Sequence, residues 1–339
     1  MGKDLTVSEI DRQNILNNPV ALKEIEKAIG VQGFIFENEI KFTKKQLAEF
    51  YEIDERTVER YIEKNSDEIG KNGYVVLRGK RLKTLKELVK EHSGTDIDVG
   101  TKTTVLGIFN FRAFLNIGML LTESEKASEL RSAILDIVID VINQKTGGST
   151  KYINQRDEDF IISYFQQENY RKEFTDALKN CVDMGNFKYA IYTDKIYVSI
   201  FNEKAKEYRQ ILRLNSSENI RDTMYSEILD IISSYEYGFA DILNKKSIEL
   251  GRKLKSHEVD VLFHQFENMV LFKPLREKAR LKMASRDLAF RDALHKNLKE
   301  YISVLPPAEF ERFLGEKSKE LSERLEDYKD EFKRLKERE

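Results

Sequence analysis

The chain has 339 residues and a formal net charge of −2, with 40% hydrophobic and 34% charged residues but only 16 glycines and 4 prolines. That composition supplies material for two or three cores and favours long amphipathic helices over a sheet-and-turn protein. The near-neutral balance excludes a protein that coats nucleic acid over its whole surface, though not one basic module on a neutral body. No apolar run approaches the roughly 20 residues of a membrane span, and MGKDLTVSEIDRQN at the start lacks the apolar core of a secretory signal. Lys3 and the acidic residues after it weigh against lipidation of Gly2. Cys181 is the single cysteine, so no internal disulfide and no cysteine cluster for zinc is available. The expectation is a cytoplasmic protein without membrane contact, metal or cofactor.

In chain order, ALKEIEKAIG (21–30) predicts a short helix with Leu22, Ile25 and Ile29 on one face and Gly30 as its stop. Apolar residues alternate around Glu37–Asn38 in GFIFENEIKF (33–42), which predicts a short strand or hairpin. TKKQLAEFY and DERTVERYIEKN read as two helices separated by a tight turn, and YVVLRGKRLKTL (74–85) as two strands joined at Gly79. EHSGTDIDVG (91–100) reads as a linker. From Val105 to Asn143 the pattern is helical and densely apolar, with a break at QKTGGST (144–150). Residues 157–301 are largely helical, interrupted near Gly185 and at LNSSEN (214–219). Beyond Pro306–Pro307, Leu314, Leu321, Leu325, Tyr328, Phe332 and Leu335 suggest about three heptads of a coiled coil or a docked helix.

The order helix, strand, helix, helix, hairpin predicts a winged helix-turn-helix, with the two core helices within 43–64. Thr43 can cap the first helix; Leu47 and Phe50 are its buried side, and Ala48 allows close approach. Ile53 fills the turn and Asp54 is placed to cap the second helix. Val58, Tyr61 and Ile62 anchor that helix, leaving Arg56, Thr57, Arg60 and Lys64 outward, where arginine can read guanine edges and threonine a thymine methyl or phosphate. Glu52 departs from the pattern, standing where many such turns have glycine; a left-handed residue is less comfortable there, so the turn is expected to differ slightly. Residues 41–90 hold thirteen Lys/Arg against nine Asp/Glu, and Arg78, Lys80 and Arg81 would sit at a hairpin tip beside phosphates, with Lys83 a further cation of the wing. The expected DNA contacts are therefore Lys44, Arg56, Thr57, Arg60, Lys64, Arg78, Lys80, Arg81 and Lys83. Glu55, Glu59 and Glu63 on the same helix would confine contact to one edge.

TVLGIFNFRAFLNIGMLLTESEKASELRSAILDIVIDVIN (104–143) resembles the segment that follows the DNA-binding part of RhuM-like virulence-associated proteins and phage antirepressors, with Arg131 matching their arginine before the next helix. IYTDKIYVSIFNEKAKEYRQILRLNSSENIRDTM (191–224) is similar to a small C-terminal module of phage-related DNA-binding proteins, including its Arg-Asp step at Arg221–Asp222. The likeness implies a mobile-element or defence-island setting, sometimes beside restriction-modification genes, without supplying a mechanism.

Other constellations favour structural roles. His257, Asp260 and His264 have metal-ligand spacing on one helix face, but Phe263 and Phe266 beside them point to a packed helix. In SRDLAFRDALH (285–295), pairing of Asp287 with Arg291 and of Arg291 with His295 one turn apart accounts for the residues; the spacing misses that of helical ribonucleases. Arg156, Asp157, Glu158 and Asp159 suit a helix N-terminus, and Cys181 a core thiol. No catalytic residue is assigned.

The sequence thus predicts a mainly α protein: a winged helix-turn-helix (1–92), an antirepressor-like helical segment (104–143), a helical body (151–305) and a C-terminal heptad helix (306–339). Its expected partners are double-stranded DNA and a second copy or partner protein through residues 308–339. The alternatives are an effector enzyme such as a toxin or nuclease, for which the winged helix only targets or autoregulates, and a scaffold docking a restriction or replication complex.

Overall fold

Ser8 and Asn18 each accept a hydrogen bond from the amide three residues on, which starts α1 (Glu9–Leu16) and α2 (Pro19–Ile29). Pro19 opens α2 and Gly30, at φ 62°, closes it, the usual division of labour between these residues. These helices belong to a computed structural model that describes residues 4–91, 103–145, 148, 150–157 and 159–314. The chain divides into two units, Met1–Val141 and Ile142–Glu339.

In the first unit, β1 (Phe34–Phe36) and β2 (Glu39–Thr43) form the expected hairpin. Its two turn residues, Glu37 and Asn38, both have positive φ (53° and 64°), the two-residue turn whose twist suits antiparallel strands. There follow α3 (Lys44–Phe50), α4 (Glu55–Lys64), the short α5 (Ser66–Lys71), β3 (Tyr74–Arg78), α6 (Gly79–Glu91), β4 (Val105–Asn110), α7 (Phe111–Leu120) and α8 (Glu125–Lys145).

Two expectations are corrected here. Residues 79–85 are not a return strand: α6 starts at Gly79, so Arg78, Lys80 and Arg81 do not share a hairpin tip and Lys83 lies on that helix. Leu82 and Leu85, with half-buried Leu88 and Val89, pack against Phe34, Phe36, Leu77 and Ile108; their spacing is that of one helix face. Nor is 105–110 helical. It is β4, the antiparallel partner of β3 (Tyr74↔Phe109, Leu77↔Leu106) and of β2 (Phe42↔Phe109), giving the sheet order β1-β2-β4-β3. Segments expected to fall in separate regions, 1–92 and 104–143, therefore share one sheet. Most of the expected linker (91–100) lies outside the described residues.

Alternation along the strands gives the sheet two apolar faces. Phe42, Tyr74 and Phe109 face the main core with Leu47, Tyr51, Val58 and Phe114, while Leu77 and Ile108 face α6. α7 is buried at every position from Ala113 to Leu120. There Gly118 permits a close approach: a Cβ would lie 2.3 Å from the Tyr51 hydroxyl, which donates to the Phe114 carbonyl at 3.0 Å.

The second unit is helical: α9 (Phe160–Cys181), α10 (Phe187–Phe201), α11 (Ala205–Ile211), α12 (Ser226–Leu250), α13 (Ser256–Glu267), α14 (Phe272–Phe290) and α15 (Pro307–Leu314), with 3-10 turns at Ile153–Arg156, Arg221–Thr223 and Lys296–Tyr301. The predicted interruptions at Gly185, 214–219 and Pro306–Pro307 all fall between or at the start of these helices. α9 and α12 pack along their lengths, and Tyr235, Phe239, Phe263, Phe266 and Phe272 form a run of touching rings, the nearest pair 4.3 Å apart. Phe310, Phe313 and Leu314 of α15 are buried in this unit; the heptad positions from Leu321 onward lie outside the described residues. Among the described residues no helix is long and apolar enough to cross a membrane.

Candidate functional site

The α3–α4 pair is shaped by local hydrogen bonding. The Thr43 hydroxyl accepts from the Gln46 amide at 3.2 Å while the Gln46 side chain accepts from the Thr43 amide at 2.8 Å, a capping box. At the other end of α3 the Ile53 amide donates to the Ala48 carbonyl (3.0 Å) and the Glu52 amide to that of Glu49 (3.3 Å). This is a Schellman closure with Glu52 at its left-handed position, φ 54°. Glu52→Gly should therefore raise stability by about 1 kcal/mol by relieving the Cβ clash of that conformation. Urea unfolding monitored by circular dichroism checks this; an unchanged or lower midpoint would argue against strain at the turn. The expected side-chain cap from Asp54 is absent. Its dihedrals are those of an N-cap, but only its backbone carbonyl accepts, from the amides of Thr57 and Val58.

Val58 and Tyr61 are buried and Ile62 half-buried, as their spacing predicts, while Arg56, Arg60 and Lys64 are exposed and Thr57 is half-buried. The cations differ in what holds them. Lys44 is paired with Glu55 (3.2 Å) and Glu59, Arg60 with Glu123, Arg81 with Glu37 (2.6 Å), and Lys83 with Glu87 (3.9 Å). Among the described residues Arg56, Lys64, Arg78 and Lys80 make no ion pair. Glu123 also accepts from the Tyr61 hydroxyl at 2.7 Å, and this bond, with Arg60 beside it, holds its carboxyl below the usual range. The structure thus adds Glu37 and Glu123 as carboxylates laid against the predicted DNA contacts. Neither is near its partner in sequence.

Arg131 is half-buried and donates to the carbonyls of Gly118 (3.2 Å) and Leu121, which ties α8 to the end of α7. Arg221 is buried and forks onto Glu236 (2.6 and 3.1 Å), which also takes Arg171 at 2.8 Å.

In the second unit the metal-like spacing does not converge. His257 and His264 are exposed, and Asp260 accepts from Tyr192 (3.0 Å) and Lys195 (2.7 Å). Among the described residues no group of His, Cys, Asp and Glu could hold a metal ion. Cys181 is buried and lies 3.0 Å from the Asn244 side-chain oxygen.

The residues of 285–295 are internal. Asp287 meets Arg291 at 3.0 Å and accepts from Tyr225 at 2.7 Å. His295 turns from the expected arginine to two carboxylates, with Nδ1 2.7 Å from Glu203 and Nε2 against Asp287. α14 ends at Phe290, so Arg291 and His295 do not lie on one helix. Arg286, fully buried, reaches Glu227 (2.8 Å), Glu309 (2.7 Å) and Asp157 (3.5 Å).

Above that last cluster opens a groove of about 600 Å³ between α9 and α12, with Asp157, Asp159, Glu227 and Asp230 among its walls. Burial pushes the Asp157 carboxyl up against the opposing pull of Arg312 and Arg286. Burial, reinforced by Glu227, Asp159 and Asp157, does the same to Asp230 despite a hydrogen bond from Ser163.

No protein-family model matches the chain, and no curated protein or solved structure is significantly similar to it.

Proposed function

We propose that the chain is a DNA-binding regulator or accessory protein that reads duplex DNA through a winged helix in its first unit. The observation that carries this reading is topological. Helices α3 and α4 lie between β2 and β3, and β4 pairs between those two strands, an arrangement that supports a winged-helix reading. On this reading the wing would be the connection from β3 to β4, in which α6 stands where the sequence suggests a simple hairpin. A mobile-element or defence setting rests on the resemblance of 104–143 and 191–224.

α4 would enter the major groove by the edge that carries Arg56, Thr57 and Lys64. Lys44 and Arg60 would join by exchanging a carboxylate for a phosphate. The exchange costs little, because ion pairs this exposed contribute about 0–1 kcal/mol each. Arg78 and Lys80, at the junction of β3 and α6, would contact backbone phosphate. Phe310, Phe313 and Leu314 are engaged within the second unit, which leaves any dimer contact of 308–339 to the positions beyond Leu314.

Salt-titrated binding of the full chain to random-sequence duplex tests the reading. Arg56→Ala should flatten sequence preference by about 1–3 kcal/mol. Arg78→Ala and Lys80→Ala should weaken binding to every sequence and each reduce the salt slope by about 1. No retardation at low salt would sink the proposal.

A further inference from the structure

α9 and α12 run parallel and in register. Ser163 meets Asp230 near one end of the groove, and seven residues on, Tyr170 meets Tyr237 edge to face with ring centroids 5.3 Å apart. At helical rise the two ends are about 10 Å apart. Gln166, Ser233 and Ser234 line the wall between them. Asp159 and Asp230 make no ion pair among the described residues, and the Tyr237 side is open, that residue being 52% exposed.

Of the four carboxylates in the lining, Glu227 is paired with Arg286 and Lys282, and Asp157 with Arg286 and Arg312, which leaves Asp159 and Asp230. Arg312 is already turned to Asp157 and Glu309, each at 3.5 Å. Unneutralised carboxylates at one end and aromatic faces at the other are both features that attract ammonium groups. The volume is that of a small-molecule site, and the absence of a metal-ligating group among the described residues favours an organic cation.

We propose that this groove binds a linear aliphatic polyamine. One terminal ammonium sits between Asp159 and Asp230, the chain lies along Gln166 and the α12 serines, and the other end rests against Tyr170 and Tyr237. The site lies wholly in the second unit and does not depend on the DNA-binding reading.

The test is calorimetric titration of the full chain with spermidine at moderate ionic strength. Saturable one-site binding is expected. Asp230→Asn and Tyr237→Ala should each weaken it roughly tenfold, about 1.4 kcal/mol. Asp230 is only partly buried and Tyr237 is exposed, so unchanged thermal melting should accompany that loss. Asp241→Asn, on an exposed part of α12 where Asp241 pairs with Lys245, should leave binding unchanged. Absence of saturable binding, an equal loss in Asp241→Asn, or displacement of spermidine by an equal concentration of magnesium ions would overturn the assignment, the last two by showing diffuse charge attraction alone.

Discussion

Arg286→Ala is expected to lower the stability of the second unit by roughly 3–5 kcal/mol, the cost of removing one partner from a buried ionic cluster. The side chain is fully buried on α14 and ties the 3-10 turn before α9, the start of α12 and α15 together through Asp157, Glu227 and Glu309. Its guanidinium also lies 5.0 Å from the Tyr225 ring centre and 4.8 Å from that of Phe313. Truncation leaves buried Asp157 and the half-buried Glu227 and Glu309 facing one another with only Lys282 and Arg312 nearby, and it empties the space between two rings. Arg286→Lys keeps the charge but loses the planar fork, so it should recover only part of the loss. Urea unfolding of the full chain measures both, and a drop below about 1 kcal/mol in the alanine variant would mean that the cluster contributes little.

The second large effect is one of pH. His295 is buried between Glu203 and Asp287; burial alone would lower its pKa, but the two carboxylates outweigh that and raise it to about 9. A folded-state value above the unfolded one of about 6.5 means the imidazolium contributes its full stabilisation below pH 6.5. That contribution is lost as pH rises through about 9. The shift corresponds to at most about 3 kcal/mol, so the unfolding free energy of the second unit should decline across pH 6.5–9. His295→Gln should remove that slope, though it is less stable at neutral pH. A wild-type profile flat over this window would refute the charged-histidine account. Asp287 contributes with the opposite sign. Burial would raise its carboxyl, but Arg291 and His295 hold it below the usual range, so its contribution is present at neutral pH and lost only in acid.

Both effects concern a stretch, 285–295, whose repeated Arg-Asp pattern suggests surface pairing one turn apart. Asp287 and Arg291 do pair at that spacing, but inside the protein, and His295 finds its partners on α14 and just beyond α10. Nothing in the local pattern signals this, because Glu203 is 92 positions away. The groove residues left a fainter trace. Asp230, Ser233, Ser234 and Tyr237 recur at helical spacing as a polar stripe, which becomes a wall only because α9 lies parallel beside it.

The predicted DNA contacts divide in the same way. Leu47, Val58 and Tyr61 are inward and Arg56, Arg60 and Lys64 outward as the spacing requires, but the carboxylates against Arg60 and Arg81 come from Glu123 and Glu37, 63 and 44 positions distant. α6 shows competition between two signals. The alternation in YVVLRGKRL continues the strand, whereas Leu82, Leu85 and Val89 mark a helix face. The helix prevails because it buries Leu82 and Leu85 together against Leu77 and Ile108 on one face of the sheet.

What the amino-acid sequence determined alone is the set of features made by contacts within a few residues. These are the helix start at Thr43, the stop at Gly30, the Glu37–Asn38 turn and the inward face of α4. What only the tertiary structure decided is which strand pairs with β3, which carboxylate meets each arginine, and that α9 and α12 enclose a groove. Backbone hydrogen bonding and side-chain periodicity act locally and are written into neighbouring residues. Strand partners and buried ion pairs are chosen among distant segments by burial, which no local pattern encodes.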